Sequence, residues 1–91
     1  MHYLVAYDLN REVIRPKIVD EVRKTPWARL SESSYVIETN ETVEQVHARF
    51  RQYLDANDDF FVLTVSRPYT GYGPKAVIAY LDAKMLQSRA A

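Results

Sequence analysis

The first apolar block, Tyr3-Leu4-Val5-Ala6-Tyr7, is continuous and closes on Asp8, the pattern of a buried central strand. Residues 10–15 predict a loop, after which Pro16 suits the first helical position, where its missing N–H costs nothing. From there Ile18, Val19 and Val22, with Ile14 extending the row, recur on one side of a helix. Lys17, Asp20, Glu21, Arg23 and Lys24 take the other side. Thr25-Pro26 ends this amphipathic helix, because a residue before proline is pushed out of the helical region. Residues 27–30 and 34–38 flank Ser31-Glu32-Ser33 and predict a hairpin. In its second arm Tyr35 and Ile37 share one face, Val36 and Glu38 the other.

Thr42 with Gln45 has the spacing of a capping box and opens a second helix. Val43, Val46, Phe50 and Leu54 form its apolar stripe; Glu44, Gln45, Arg49, Arg51 and Gln52 form its polar back. Residues 55–59 close it, with Asn57 suited to a positive φ. Phe60-Phe61-Val62-Leu63-Thr64-Val65 is the most strand-like run in the chain. The order strand, helix, strand, strand, helix, strand predicts an α+β fold, a ferredoxin-like βαββαβ sandwich. It has a four-stranded antiparallel sheet with two helices on one face.

That domain covers residues 1–67. Residues 68–91 read as an extension: an irregular loop holding both glycines, then a helix opened by Pro74 with Val77, Ile78, Leu81 and Met85 as its apolar row. Lys75, Asp82, Lys84 and Gln87 are its polar positions. The extension is expected to pack on the domain or on a dimer partner. A sheet covered on one side leaves the other bare, and Tyr3, Tyr35, Phe60 or Phe61 are candidates for an apolar patch there that joins two copies.

Ninety-one residues leave room for one core. The absence of cysteine excludes disulfides, zinc–thiolate sites and a thiol nucleophile. The start of the chain has neither the basic nor the long apolar segment of a signal peptide, and no apolar run is long enough to span a bilayer, so a cytoplasmic protein is expected. Twelve basic and twelve acidic residues cancel, which speaks against a protein that coats nucleic acid by bulk charge. The charges are nonetheless segregated. Residues 1–30 carry six Arg/Lys against four Asp/Glu, residues 31–66 two against seven, and residues 67–91 four against one. Solvated faces account for this, as does a basic surface formed by the two ends of the chain.

No phosphate loop, dinucleotide fingerprint, zinc array or nucleophile elbow is present. His2 and His47 stand alone and receive no role. Asp8 is the principal candidate: a carboxylate directly after a buried strand projects from the strand's end, where it meets a metal or substrate, or else caps a loop by accepting backbone N–H groups. One aspartate does not hold Mg²⁺ tightly, whereas a second copy from a dimer partner makes a better site. Asp55, Asp58 and Asp59 form an acidic cluster, either a cation site or a helix-ending turn. Arg11, Arg15 and Lys17 follow Asp8 closely and, with Arg67 and Lys75, are candidates to contact phosphate. Tyr69 and Tyr72 either stack on bases or pack the C-terminal segment.

Three segments together carry a family resemblance: Tyr7-Asp8 closing the first strand, Ser33-Ser34-Tyr35-Val36-Ile37 in the hairpin, and the run Leu54-Asp55-Ala56-Asn57-Asp58-Asp59-Phe60-Phe61-Val62. Over about residues 2–66 the chain resembles the SinR-like family of small bacterial proteins, distinct from the helix-turn-helix repressor of the same name. That family is grouped with the small dimeric CRISPR-adaptation nucleases and the virulence-associated protein D toxins. The resemblance implies a ferredoxin-like homodimer in which Asp8 of each subunit binds Mg²⁺ or Mn²⁺ and RNA or DNA is the partner. The implied chemistry is metal-dependent phosphodiester hydrolysis, catalysed at Asp8. Some of these proteins act mainly as DNA-binding scaffolds, and a non-catalytic module of a toxin–antitoxin or phage-defence system is the alternative. The chain departs from the CRISPR-adaptation pattern at its end, where those proteins commonly carry another strand and residues 74–87 here read as helix.

Overall fold

A computed structural model describes residues 1–85. Strand β1 (His2–Asp8) leads through a 3₁₀ turn at Glu12–Ile14 into helix α1 (Arg15–Val22). The hairpin β2 (Trp27–Ser31) and β3 (Ser34–Glu38) follows, then α2 (Val43–Arg51), β4 (Asp59–Val65) and α3 (Lys75–Lys84). The sheet order is β2-β3-β1-β4, every pair antiparallel, as in the split βαβ arrangement. The first strand therefore sits inside the sheet, with β3 and β4 on its two edges.

Alternation along the strands sorts the two faces. Tyr3, Val5 and Tyr7 of β1 and Tyr35 and Ile37 of β3 point to one side. There they meet Ile18 and Val22 of α1 and Val46 and Phe50 of α2, forming the main core. Phe60 and Val62 of β4 close it, the Phe50 and Phe60 rings lying 4.9 Å apart. Tyr3, Tyr35 and Phe60 thus belong to the helix-covered face and not to the bare one. The pleat aims odd residues of β1 and β3 and even residues of β4 at the helices, and only Phe61 of the four predicted aromatics lies opposite.

That opposite face is not bare either. Helix α3 lies over it, with Leu81 and Met85 buried against Val36 and with Leu4, Val65, Tyr69, Val77 and Tyr80 around them. The helix spans Lys75–Lys84, and residues 86–91 of the predicted extension, Gln87 included, lie outside the described residues. Helix α2 ends at Arg51, so Leu54 packs on the core from the loop that follows rather than from the helix. Asn57 does not adopt a positive φ. The turn is instead made by side chains: Asp55 Oδ1 accepts the Asn57 N–H at 2.8 Å, and Asp58 Oδ2 accepts the Asp55 N–H at 2.8 Å.

At the start of α2 the capping box is present in both directions. The Gln45 N–H donates to Thr42 Oγ1 at 3.2 Å, and the Thr42 N–H donates to Gln45 Oε1 at 2.8 Å. Thr42→Ala should cost about 1 kcal/mol, measured as a shift in the urea midpoint at unchanged slope.

One polar group is sunk between the helices. Glu21, 2% exposed, accepts from Lys24 Nζ at 2.8 Å, from Tyr53 Oη at 3.1 Å and from Arg49 Nη1 at 3.0 Å. Arg49 also donates from Nε to both oxygens of Glu41, at 3.0 and 3.1 Å, tying α1 and α2 to the loop after β3. Burial opposes ionisation of Glu21, but the three donors outweigh it and hold its pKa below the usual range.

Candidate functional site

The ends of β1 and β4 meet at one corner of the sheet. Asp8 is the last residue of β1 and stands directly opposite Asp59, the first residue of β4. Directly opposed residues hold their Cβ atoms about 4.5–5.5 Å apart, so two carboxylates share this corner. Both residues are exposed. Among the described residues neither side chain has a hydrogen-bond or ion-pair partner. Asp8 therefore does not cap the following loop, the other role open to it from sequence.

The two loops beside this pair are fastened to each other. Asp58 Oδ1 accepts the Asn10 N–H at 2.6 Å, while its other oxygen holds the Asp55 N–H. Those backbone donors, with Arg11 nearby, hold the Asp58 pKa below its ordinary value. Arg11 Nε lies 3.1 Å from Asp55 Oδ2, a second tie between the same loops. Asp55 and Asp58 are thus structural, and Asp59 alone of the acidic cluster is left free to act with Asp8. Sequence spacing places Asp59 among its acidic neighbours; only strand register shows that it faces Asp8.

The predicted basic residues divide. Arg15 is engaged within the chain: its guanidinium donates to both oxygens of Glu12 at 2.6 and 3.1 Å and to the Glu32 carbonyl at 2.8 Å. It also lies over the Tyr7 ring, 5.6 Å from the centroid, and the Glu12 hydrogen bond raises its pKa further. Arg11 is half exposed despite its partner, and Lys17 is exposed with no partner among the described residues. Arg67 follows β4, whose far end pairs Val65 with His2, so it lies roughly 20 Å along the strand direction from Asp8. Its Nη1 donates to the Asp82 carbonyl of α3 at 3.3 Å. Lys75 is exposed in the first turn of α3. Arg67 therefore does not join the basic residues near Asp8; Arg11 lies in the loop that follows Asp8, and Lys17 in the first turn of α1.

Tyr69 packs against α3, donating to Asp82 Oδ1 at 2.7 Å, whereas Tyr72 is fully exposed. Between this loop, α3 and the second face of the sheet runs an apolar groove of about 560 Å³, lined by Leu4, Leu30, Val36, Val65, Tyr69 and Val77 among others. Among the described residues its lining carries no charged group, and it lies apart from the carboxylate pair.

The corner suits one kind of cation. Among the described residues no three His, Cys, Asp or Glu side chains gather as a complete protein cage. Mg²⁺ is ordinarily held by one or two carboxylates together with water and substrate phosphates, and two unpartnered carboxylates at an open corner supply that number. Like charges opposed across strands repel, so the pair is an arrangement that folding alone does not favour.

The chain is similar in structure to a hypothetical protein from Thermus thermophilus, with a TM-score of 0.63 and 25% sequence identity over 80% of this chain and 93% of that one. No protein-family model matches the chain. No curated protein matches it either. Among the described residues no helix is long and apolar enough to cross a membrane.

Proposed function

We propose that the protein is a cytoplasmic, homodimeric nucleic-acid-binding protein that hydrolyses phosphodiesters with a divalent metal held at Asp8, in the manner of the CRISPR-adaptation nucleases it resembles. The observation that carries this reading is the exposed, unpartnered Asp8 set against Asp59 at the end of the central strand. Asp8 and Asp59 would hold Mg²⁺ or Mn²⁺, which when bound polarises a phosphoryl oxygen and lowers the pKa of water. Asp8 contributes a fixed negative charge at a rigid strand end, and the Asn10–Asp58 and Arg11–Asp55 ties fix the loops around it. Arg11 and Lys17 draw the phosphate backbone to that corner. Exposed Phe61, Leu63 and Leu30 on the second face provide apolar surface for the dimer.

The test is cleavage of labelled single- and double-stranded RNA and DNA by the purified protein with Mg²⁺, Mn²⁺ or EDTA. Light scattering on the same preparation reads its mass. Metal-dependent cleavage by a particle of twice the chain mass is expected. A monomer at tens of micromolar, or no cleavage with either metal on any of the four substrates, refutes the reading.

A further inference from the structure

His2, the first residue of β1, is buried on the sheet's second face at the end where β3 and β4 finish. It is 2% exposed, and among the described residues neither ring nitrogen has a hydrogen-bond partner. Its neighbours come from every element around it. Glu38 of β3 stands opposite it in register, with Oε2 3.7 Å from Nε2, and Val65 of β4 flanks it on the other edge without charge. Above it lies Tyr80 of α3, whose ring meets the imidazole edge-on at 6.3 Å and whose hydroxyl is also buried without a partner among the described residues. The Met1 amino group, donating to the Thr39 carbonyl at 3.1 Å, is the remaining nearby charge among the described residues.

We propose that α3 is an acid-released cover: the neutral His2 ring seats Tyr80 and the helix on the sheet, and protonation of His2 frees them. A buried imidazole without acceptors is tolerated only while uncharged. Glu38 opposes this in part, as a half-exposed carboxylate that favours the charged ring, but it lies too far for a hydrogen bond. Desolvation is the larger influence and lowers the His2 pKa, with Glu38 raising it and the Met1 ammonium lowering it.

The sign follows from proton counting. The docked state binds fewer protons than the undocked one between its own lowered pKa and the ordinary value of about 6.5. Docking is therefore complete above about pH 6.5 and weakens as pH falls through that window. What is freed is specific: α3 carries Leu81 and Met85 away from Val36 and opens Leu4 and Val65 together with the adjoining groove.

The experiment is hydrogen–deuterium exchange from pH 7.5 to 5.0, with protection referred to the intrinsic rate at each pH and α3 compared with β1. Protection of residues 75–84 should fall by up to about tenfold per pH unit below 6.5 while β1 keeps its own. His2→Phe, which retains an apolar ring, should remove the dependence. Glu38→Gln, at a half-exposed position compatible with folding, should deepen the loss at pH 5 because the charged ring then has no nearby carboxylate. Unchanged α3 protection down to pH 5 would overturn the proposal. So would the same pH slope in His2→Phe, or a loss at pH 5 in Glu38→Gln no deeper than in wild type.

Discussion

Arg49→Ala should destabilise the protein severely, with a loss of about 3–5 kcal/mol. Arg49 is the donor that neutralises Glu21 from the α2 side, and Glu21 stays buried when it is removed. Lys24 remains, but it is largely exposed, and such pairs contribute little on their own. Tyr53 supplies one neutral hydrogen bond. Against a typical total of about 5–15 kcal/mol the loss is large, and in a domain of this size it should lower the melting temperature by more than about 10 °C.

Urea denaturation checks it. A loss below about 1 kcal/mol would mean that Glu21 is served well enough by Lys24 and Tyr53 alone. The double variant Glu21→Leu with Arg49→Met should regain most of the loss, because it removes both charges instead of stranding one. Acid acts through the same group. The stability that Glu21 contributes is present above its unfolded pKa of about 4.3 and fades as pH falls through its lower folded value. The double variant should therefore show a flatter acid limb.

Asp8→Asn should abolish cleavage, by about 10²-fold or more, while leaving the protein as stable as before or slightly more so. The second half of that statement separates a working residue from a structural one. A carboxylate that capped a loop would cost about 1 kcal/mol on replacement. Asp8 makes no such contact among the described residues and faces Asp59, so neutralising it relieves a cross-strand repulsion of about 0.2–1 kcal/mol. Asp59→Asn should do the same to stability and weaken cleavage as well. Single-turnover cleavage at saturating Mg²⁺, alongside thermal melts, reads both quantities. Full activity in Asp8→Asn would refute its role, and a destabilised Asp8→Asn would return it to the scaffold.

The succession of elements is legible in the chain because local chemistry sets it. Pro16, Thr42 with Gln45, and the Thr25-Pro26 stop mark helix ends, and the alternation in residues 34–38 marks a strand. Asp8 at a strand end is legible for the same reason. What pairs with it is not. Asp59 and Asp8 are brought together by the β1–β4 register, a long-range choice made by which faces bury Tyr7 and Phe60. Glu21 is a further case: at a polar helix position it looks solvent-facing, and only the approach of Arg49 and Tyr53 from α2 makes a buried site there. His2 likewise reads as an isolated terminal histidine until α3 folds over it.

The place of β1 between β3 and β4 also orders events during synthesis. The earliest-made strand is a middle strand, and its register with β4 joins His2 to Val65 and Asp8 to Asp59, some of the longest sequence separations in the molecule. Until the ribosome has released β4, β1 has one edge unpaired, and the main core lacks Phe60 and Val62. Contacts so distant in sequence slow folding, because the intervening chain must be closed before they form. The nascent protein thus waits with an apolar strand edge open, an interval in which unpaired edges and exposed apolar surface favour aggregation.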